Sequence, residues 1–249
     1  MSEVIPSTAN VARVVEYILR TYRVAAARGG AIADAANERL KPALADIDAA
    51  GAATQAADAA EAEARAAVLA EDDNSDVLIG ATRDAIWAAL KRPARNRHLT
   101  HVFPGGIRGY TQGDQRRQPV LMSLLESRIL SCAAPQLTEE QKAAWAADIA
   151  TARQAYEAAL AKHTPAEAAA FIARAAYRSS VKMGHESLRA FKRDLQTLGL
   201  SKAQIFEIIP DGTPVASAAA KGKTPPPKGG TTATAGTPPA DGKAAPKAA

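Results

Sequence analysis

Residues 138–160, TEEQKAAWAADIATARQAYEAAL, decide the fold class. Thr138 followed three positions later by Gln141 is a capping box, in which side chains and backbone amides of a helix start satisfy one another. Beyond it Trp145, Ile149, Ala152, Tyr156 and Leu160 recur at steps of three and four, the spacing of one buried helix face. The stretch is rich in Ala, the strongest intrinsic helix former, and contains neither Gly nor Pro. Nothing in it alternates with the period of two that a strand requires.

The same pattern extends outward in both directions. Thr164-Pro165-Ala166-Glu167 has the form of a second capping box, with Pro at the first helical position, and predicts a new helix from there to about Leu198, stopped by Gly199. His163 would then end the preceding helix. Ser201-Lys202-Ala203-Gln204 caps a last short helix. Toward the N-terminus, Val11, Val14, Val15, Ile18, Leu19 and Tyr22 form one face, and Gly29-Gly30 a break. Ile32, Ala36, Leu40, Leu44 and Ile47 continue the period, with Pro42 predicting a kink. Residues 52–70 are more than half alanine, and Ala53, Ala57, Ala60, Ala64 and Ala67 share a face that a partner helix could approach closely. Asn74-Ser75-Asp76 predicts a fresh start for a helix over about 77–91.

The expected architecture is therefore all-α, an elongated bundle of four to seven mostly antiparallel helices over residues 1–210. From 211 to 249 the chain changes to Pro, Gly, Thr, Ala and Lys, with almost no large apolar side chain, and reads as a disordered tail. The 249 residues are 47% hydrophobic but only 4% aromatic, so Leu, Ile, Val and Ala must build the core. No apolar run reaches the length of a membrane span, no secretory leader is legible, and the single Cys132 cannot form an internal disulfide; a cytoplasmic location is the expectation.

Charge is sorted along the chain. Residues 52–82 carry one Arg against seven acids, a net −6, whereas residues 83–128 carry nine bases against three acids, a net +6. Either the two segments pack as antiparallel neighbours and neutralise one another, or the basic one is free to meet an anion. Within the basic segment lies a stretch of about 92–118 with no helical period. Lys91, Arg92, Arg95, Arg97, Arg108, Arg116 and Arg117 there face only Asp114. Gly105, Gly106, Gly109 and Gly113 permit close backbone approach, and Phe103 and Tyr110 offer stacking faces, a composition suited to phosphate or single-stranded nucleic acid. The structural alternative is a loop folded across the bundle end, with Val102, Phe103, Ile107 and Tyr110 in the core.

A second basic feature is the series Arg174, Arg178, Lys182, His185, Arg189 and Arg193, which forms one helical stripe roughly opposite Ile172, Ala176, Met183, Phe191 and Leu195. Such a stripe fits a line of phosphates, or it is simply a solvated face. Signals for chemistry are lacking. No Walker, Rossmann or G-x-S-x-G pattern occurs, His98 and His101 lack further ligands at zinc spacing, and Cys132 reads as a small buried residue near a helix end. The expectation is a non-enzymatic interaction or assembly protein, without metal, cofactor or small-molecule substrate, binding protein partners or itself. Non-specific nucleic-acid binding through loop, stripe and tail is the alternative.

Overall fold

In a computed structural model, residues 4–5 and 10–209 are described, and all of them fall in one compact unit, Met1–Gly212. The expected tail over 211–249 lies outside the described residues. The fold is all-α. Its elements are α1 (Val11–Arg28), α2 (Gly30–Ala89), α3 (Arg97–Val102), α4 (Arg108–Thr111), a 3₁₀ turn (Gln115–Arg117), α5 (Gln118–Leu130), α6 (Glu139–Thr197) and α7 (Lys202–Ile208).

Two helices dominate, with 60 residues in α2 and 59 in α6. At 1.5 Å per residue each is about 90 Å long. They run antiparallel: Arg39 pairs with Asp194, Thr54 reaches the Ala173 carbonyl, and Tyr156 donates to Asp72, so the partner number falls as the α2 number rises.

Several helix boundaries follow local chemistry. Thr138 and Gln141 make both bonds of a capping box at the start of α6, and Ser201 and Gln204 do the same for α7. Gly29 and Gly30 take φ of 70° and 54°, a left-handed turn that separates α1 from α2 at little steric cost. Gly199, with φ 79°, follows the end of α6 in the same way.

Two expected boundaries do not exist. At Asn74-Ser75-Asp76 α2 continues, and Ser75 is buried, its hydroxyl donating to the Asp72 carbonyl instead of capping. Ser75 lies on the inward line Val68, Ile79, Thr82, Ile86, and burial of that line holds the helix together. At Thr164-Pro165 α6 also continues, the Thr164 hydroxyl donating back to Leu160. Pro165 is exposed, as is Ala161, whose carbonyl loses its helical partner and is left to water. Inward-facing Tyr156, Ala159 and Ala170 on either side keep the helix against α2 at the cost of one hydrogen bond. His163 consequently sits inside α6, not at a helix end. Pro42 lies within α2, again on an exposed position.

Apolar burial is concentrated in two separate clusters. The first joins α1, the beginning of α2, the end of α6 and α7 around Ile18, Leu40, Ile47, Leu188, Phe191 and Ile208. The second joins the end of α2, α3 to α5 and the beginning of α6 around Ile79, Ile86, Met122, Leu125, Ile129 and Ile149. Each such fully buried side chain contributes about 1.5–3 kcal/mol. Between them, among the described residues, Val68, Tyr156 and Ala159, with Leu160, make a small cluster. Ile47 and Ile79 on α2, like Ile149 and Val181 on α6, are thirty-two residues apart, so a two-helix stem connects two multi-helix ends.

Candidate functional site

The segment between α2 and α5 is ordered by short-range bonds. Asn96 caps α3, accepting from the amides of His98 at 2.7 Å and Leu99 at 3.3 Å. Val102, Phe103 and Tyr110 are buried and Ile107 half-buried in the second core. The Tyr110 hydroxyl donates to the Val102 carbonyl at 2.9 Å and accepts from Arg128 at 2.6 Å, while the Gln118 amide donates to the Tyr110 carbonyl at 2.6 Å. Phe103 and Tyr110 meet edge to face, centroids 5.7 Å apart. The structural alternative for this segment is thus the one that the fold adopts. Both rings are spent on packing, and neither is a stacking face for a base.

Its arginines diverge. Arg116 pairs with Glu167 on the stem part of α6 at 2.8 Å, tying the 3₁₀ turn down. Arg97 approaches His98 at 3.4 Å, and His101 lies 3.2 Å from the Ser131 hydroxyl, so the two imidazoles serve different partners. Arg92, Arg95, Arg108 and Arg117 are exposed, and no side-chain hydrogen bond or ion pair holds Arg95, Arg108 or Arg117 among the described residues.

Around Trp87 the geometry is more particular. Lys91 and Arg92 both take left-handed backbone, φ 63° and 50°, directly before Pro93. Neither is Gly, and such conformations cost free energy that the surroundings must supply. Here the Arg92 amide bonds to the Trp87 carbonyl at 2.9 Å, and the Trp87 indole N–H donates to the Pro93 carbonyl at 3.1 Å. The turn brings the Arg92 guanidinium to 5.7 Å from the indole centroid, and Arg83, one helical turn before Trp87, stands at 5.4 Å. A cleft of about 440 Å³ opens there, lined by Arg83, Trp87, Arg95, Arg97 and Thr100. The i,i+4 relation of Arg83 to Trp87 is legible in sequence; the two-residue left-handed turn is not.

Family models, curated proteins and solved structures yield no match to this chain.

The basic stripe of α6 is rearranged relative to its sequence reading. His185 faces inward, buried, with Nε2 2.6 Å from the Ile5 carbonyl, where it fixes the N-terminal segment to the first core. Gly184 beside it lies so close to α2 that a Cβ would come within 2.8 Å of Ile47. Arg174 is held by Asp58 at 2.9 Å and by Glu61, and Arg189 by Glu186 at 3.2 Å. Only Arg178, Lys182 and Arg193 of the stripe stand without an ion pair among the described residues. Two of the seven acids of 52–82, Asp58 and Glu61, therefore find their base on α6, while Asp72 accepts from Gln115 and Tyr156. The acids of this segment cannot fold against the start of the basic segment, because residues 52–89 are one continuous helix.

The apolar face expected opposite the stripe divides. Phe191 and Leu195 are buried, whereas Ile172 and Met183 are each 65% exposed and Ala176 is exposed. The α2 face is also rotated: Ala57 and Ala64 are half-buried against α6 together with Gly51, Thr54 and Glu61, while Ala53, Ala60 and Ala67 face solvent. On α6, Ala161, Pro165, Ala168, Ile172, Ala176, Ser179 and Met183 form an exposed line without a charge, whose last two members also border a groove with Glu38, Arg39, Pro42 and Asp46 of α2. Beside it Phe171 is 72% exposed. Among the described residues no helix is long and apolar enough to cross a membrane.

Proposed function

We propose that this chain is a non-enzymatic helical assembly protein that pairs with a second copy of itself through the outer face of the α6 stem. The observation carrying this reading is the uncharged line from Ala161 to Met183, with Ile172 presented to solvent where the stem is only two helices deep and Met183 exposed just beyond it. Soluble helices ordinarily put charge on such a face, and an exposed apolar strip marks a contact surface.

The line is self-complementary. An antiparallel two-fold pairing centred on Ile172 sets Ala161 against Met183, Pro165 against Ser179 and Ala168 against Ala176 of the second copy, so that the large Met183 meets a small residue. Isologous contacts of this kind close as dimers. Two stems so paired make a four-helix layer, the depth that the two ends already have. Twenty-two rises of 1.5 Å make the strip about 33 Å long, short for an obligate interface, so association is reversible and concentration-dependent.

Light scattering across a range of concentrations tests this. The wild-type chain shifts from monomer to dimer mass, and Ile172→Glu holds it at monomer mass with an unchanged helical spectrum. An Ile172→Glu chain that still dimerises, or a wild-type chain monomeric throughout, overturns the reading. Ala60→Glu, on the exposed face of α2, leaves the dimer intact.

A further inference from the structure

We infer that the cleft beside Trp87 is a binding site for a phosphoryl group, held between the guanidiniums of Arg83, Arg95 and Arg97, all of which line it. Three independent observations meet there. The first is charge: within residues 83–97, Arg83, Lys91, Arg92, Arg95 and Arg97 face only Asp84, which engages Arg83 at 2.7 Å. Arg83, Arg95 and Arg97 line the cleft and Arg92 lies near the same indole; cations so gathered repel one another unless an anion joins them, and a surface that served only solubility would mix the signs.

The second is backbone strain. The turn at Lys91-Arg92 holds two consecutive non-Gly residues in left-handed conformation. A Gly at either position would relieve the cost. Instead the turn sets Arg92 against Trp87, at 5.7 Å from its centroid. Arg92 lies outside the cleft lining, but its contact and the indole N–H bond to the Pro93 carbonyl fix the Trp87 ring that walls the cleft before any ligand arrives, which lowers the entropy lost on binding.

The third is the cavity itself. The cleft of about 440 Å³ has Trp87 as its wall and Arg95 and Arg97 on its rim, with no carboxylate among its lining residues. Arg95 makes no ion pair or hydrogen bond among the described residues. A tetrahedral oxyanion of high charge density fits bidentate guanidinium donors. Because Arg83 and Arg92 already approach the indole, the ring serves to order them, not to stack a base. A free phosphorylated compound and the backbone of a nucleic acid share this chemistry, and the test separates them.

The full chain carrying Trp145→Phe leaves Trp87 as its single indole and reports the site by its emission. It is titrated with pyrophosphate and, separately, with a short oligothymidylate, each against potassium chloride at matched ionic strength. A saturable change in emission is expected, weakened about tenfold by Arg95→Ala and by Arg97→Ala, the effect of losing one charge-assisted hydrogen bond. Tighter binding of the oligothymidylate assigns the site to backbone phosphates; equal or tighter binding of pyrophosphate assigns it to a small phosphorylated compound. No change beyond the chloride control, or binding indifferent to both Arg variants, overturns the inference, as does a response to an oligoglutamate peptide with none to either phosphate probe. Should Trp145→Phe disturb folding, phosphorus NMR of pyrophosphate with the wild-type chain gives the same decision. Line broadening abolished by Arg95→Ala supports the site, and its absence overturns it.

Discussion

The two ends of the molecule and the stem between them are built from the same two helices, yet they are stabilised differently. At the ends, α2 and α6 each bury a stripe of Ile, Leu and Phe beneath additional helices. Along the stem the inward positions are Gly51, Thr54, Ala57, Glu61 and Ala64 on α2, and the contacts include Arg174 with Asp58 and Glu61, and Thr54 with the Ala173 carbonyl. The ends are held by apolar area, whereas the stem is held by close approach of small residues, a few polar bonds and its continuity with both ends. Exposed ion pairs contribute little by themselves, so the stem borrows much of its order from the ends.

Phe191 and Phe171 give the sharpest test of this difference, being the same residue type twenty positions apart on α6. Phe191 is fully buried and Phe171 mostly exposed. Phe191→Ala should cost about 3–5 kcal/mol in urea unfolding, whereas Phe171→Ala should stay within about 0.5 kcal/mol at monomer concentrations. Equal losses at the two sites would erase the distinction between end and stem.

Pro165→Ala comes next. A proline inside a helix costs about 3 kcal/mol relative to Ala, part of which is offset by its stiffening of the unfolded chain. The substitution should stabilise the protein by about 1–2 kcal/mol and raise its thermal midpoint. A lower midpoint would mean that Pro165 itself organises the stem.

Asp76→Asn should have a smaller effect than Pro165→Ala, and its size depends on pH. Asp76 lies where the stem meets the second core, and burial, followed by the charges of Asp72 and Asp73, raises its carboxyl above the ordinary Asp value. A raised acid binds its proton more readily folded than unfolded, so stability falls as pH rises from the model-peptide Asp range through the raised value. Asp76→Asn should remove that slope and stabilise the protein at neutral pH by under about 1 kcal/mol. Unfolding curves at pH 4 and 7 decide it, and a wild-type stability that rises over that interval at the expense of the variant would count against the assignment.

Much of this organisation is written locally. The caps at Thr138 and Ser201 and the turns at Gly29 and Gly199 are satisfied within a few residues, and the sequence states them openly. The burial of Val102, Phe103, Ile107 and Tyr110 is legible from apolar recurrence through an otherwise polar stretch. What misleads is local chemistry overruled by distant packing. Asn74-Ser75-Asp76 and Thr164-Pro165 carry every sign of a helix start, but the inward lines through them are covered by the opposite long helix, and burial outweighs the cap.

The candidate sites divide in the same manner. A list of cations at helical spacing cannot tell that His185 turns inward to Ile5 or that Arg174 is taken by Asp58, because those partners lie far away in sequence. Nor can it tell that the face bearing Ile172 and Met183 is left uncovered while Phe191 and Leu195 on its edge are buried. The arginines around Trp87 are legible as a cluster, but their convergence depends on the left-handed turn at Lys91-Arg92.

Because both long helices pass unbroken from one core to the other over the same thirty-two residues, the stem acts as a gauge. It sets the two ends about 48 Å apart, measured along the axis. Each residue added to both helices would lengthen that spacing by about 1.5 Å and swivel one end against the other by about 100°. Length and orientation are thereby geared together, and changes that preserve both inward faces come in steps of about seven or eleven residues.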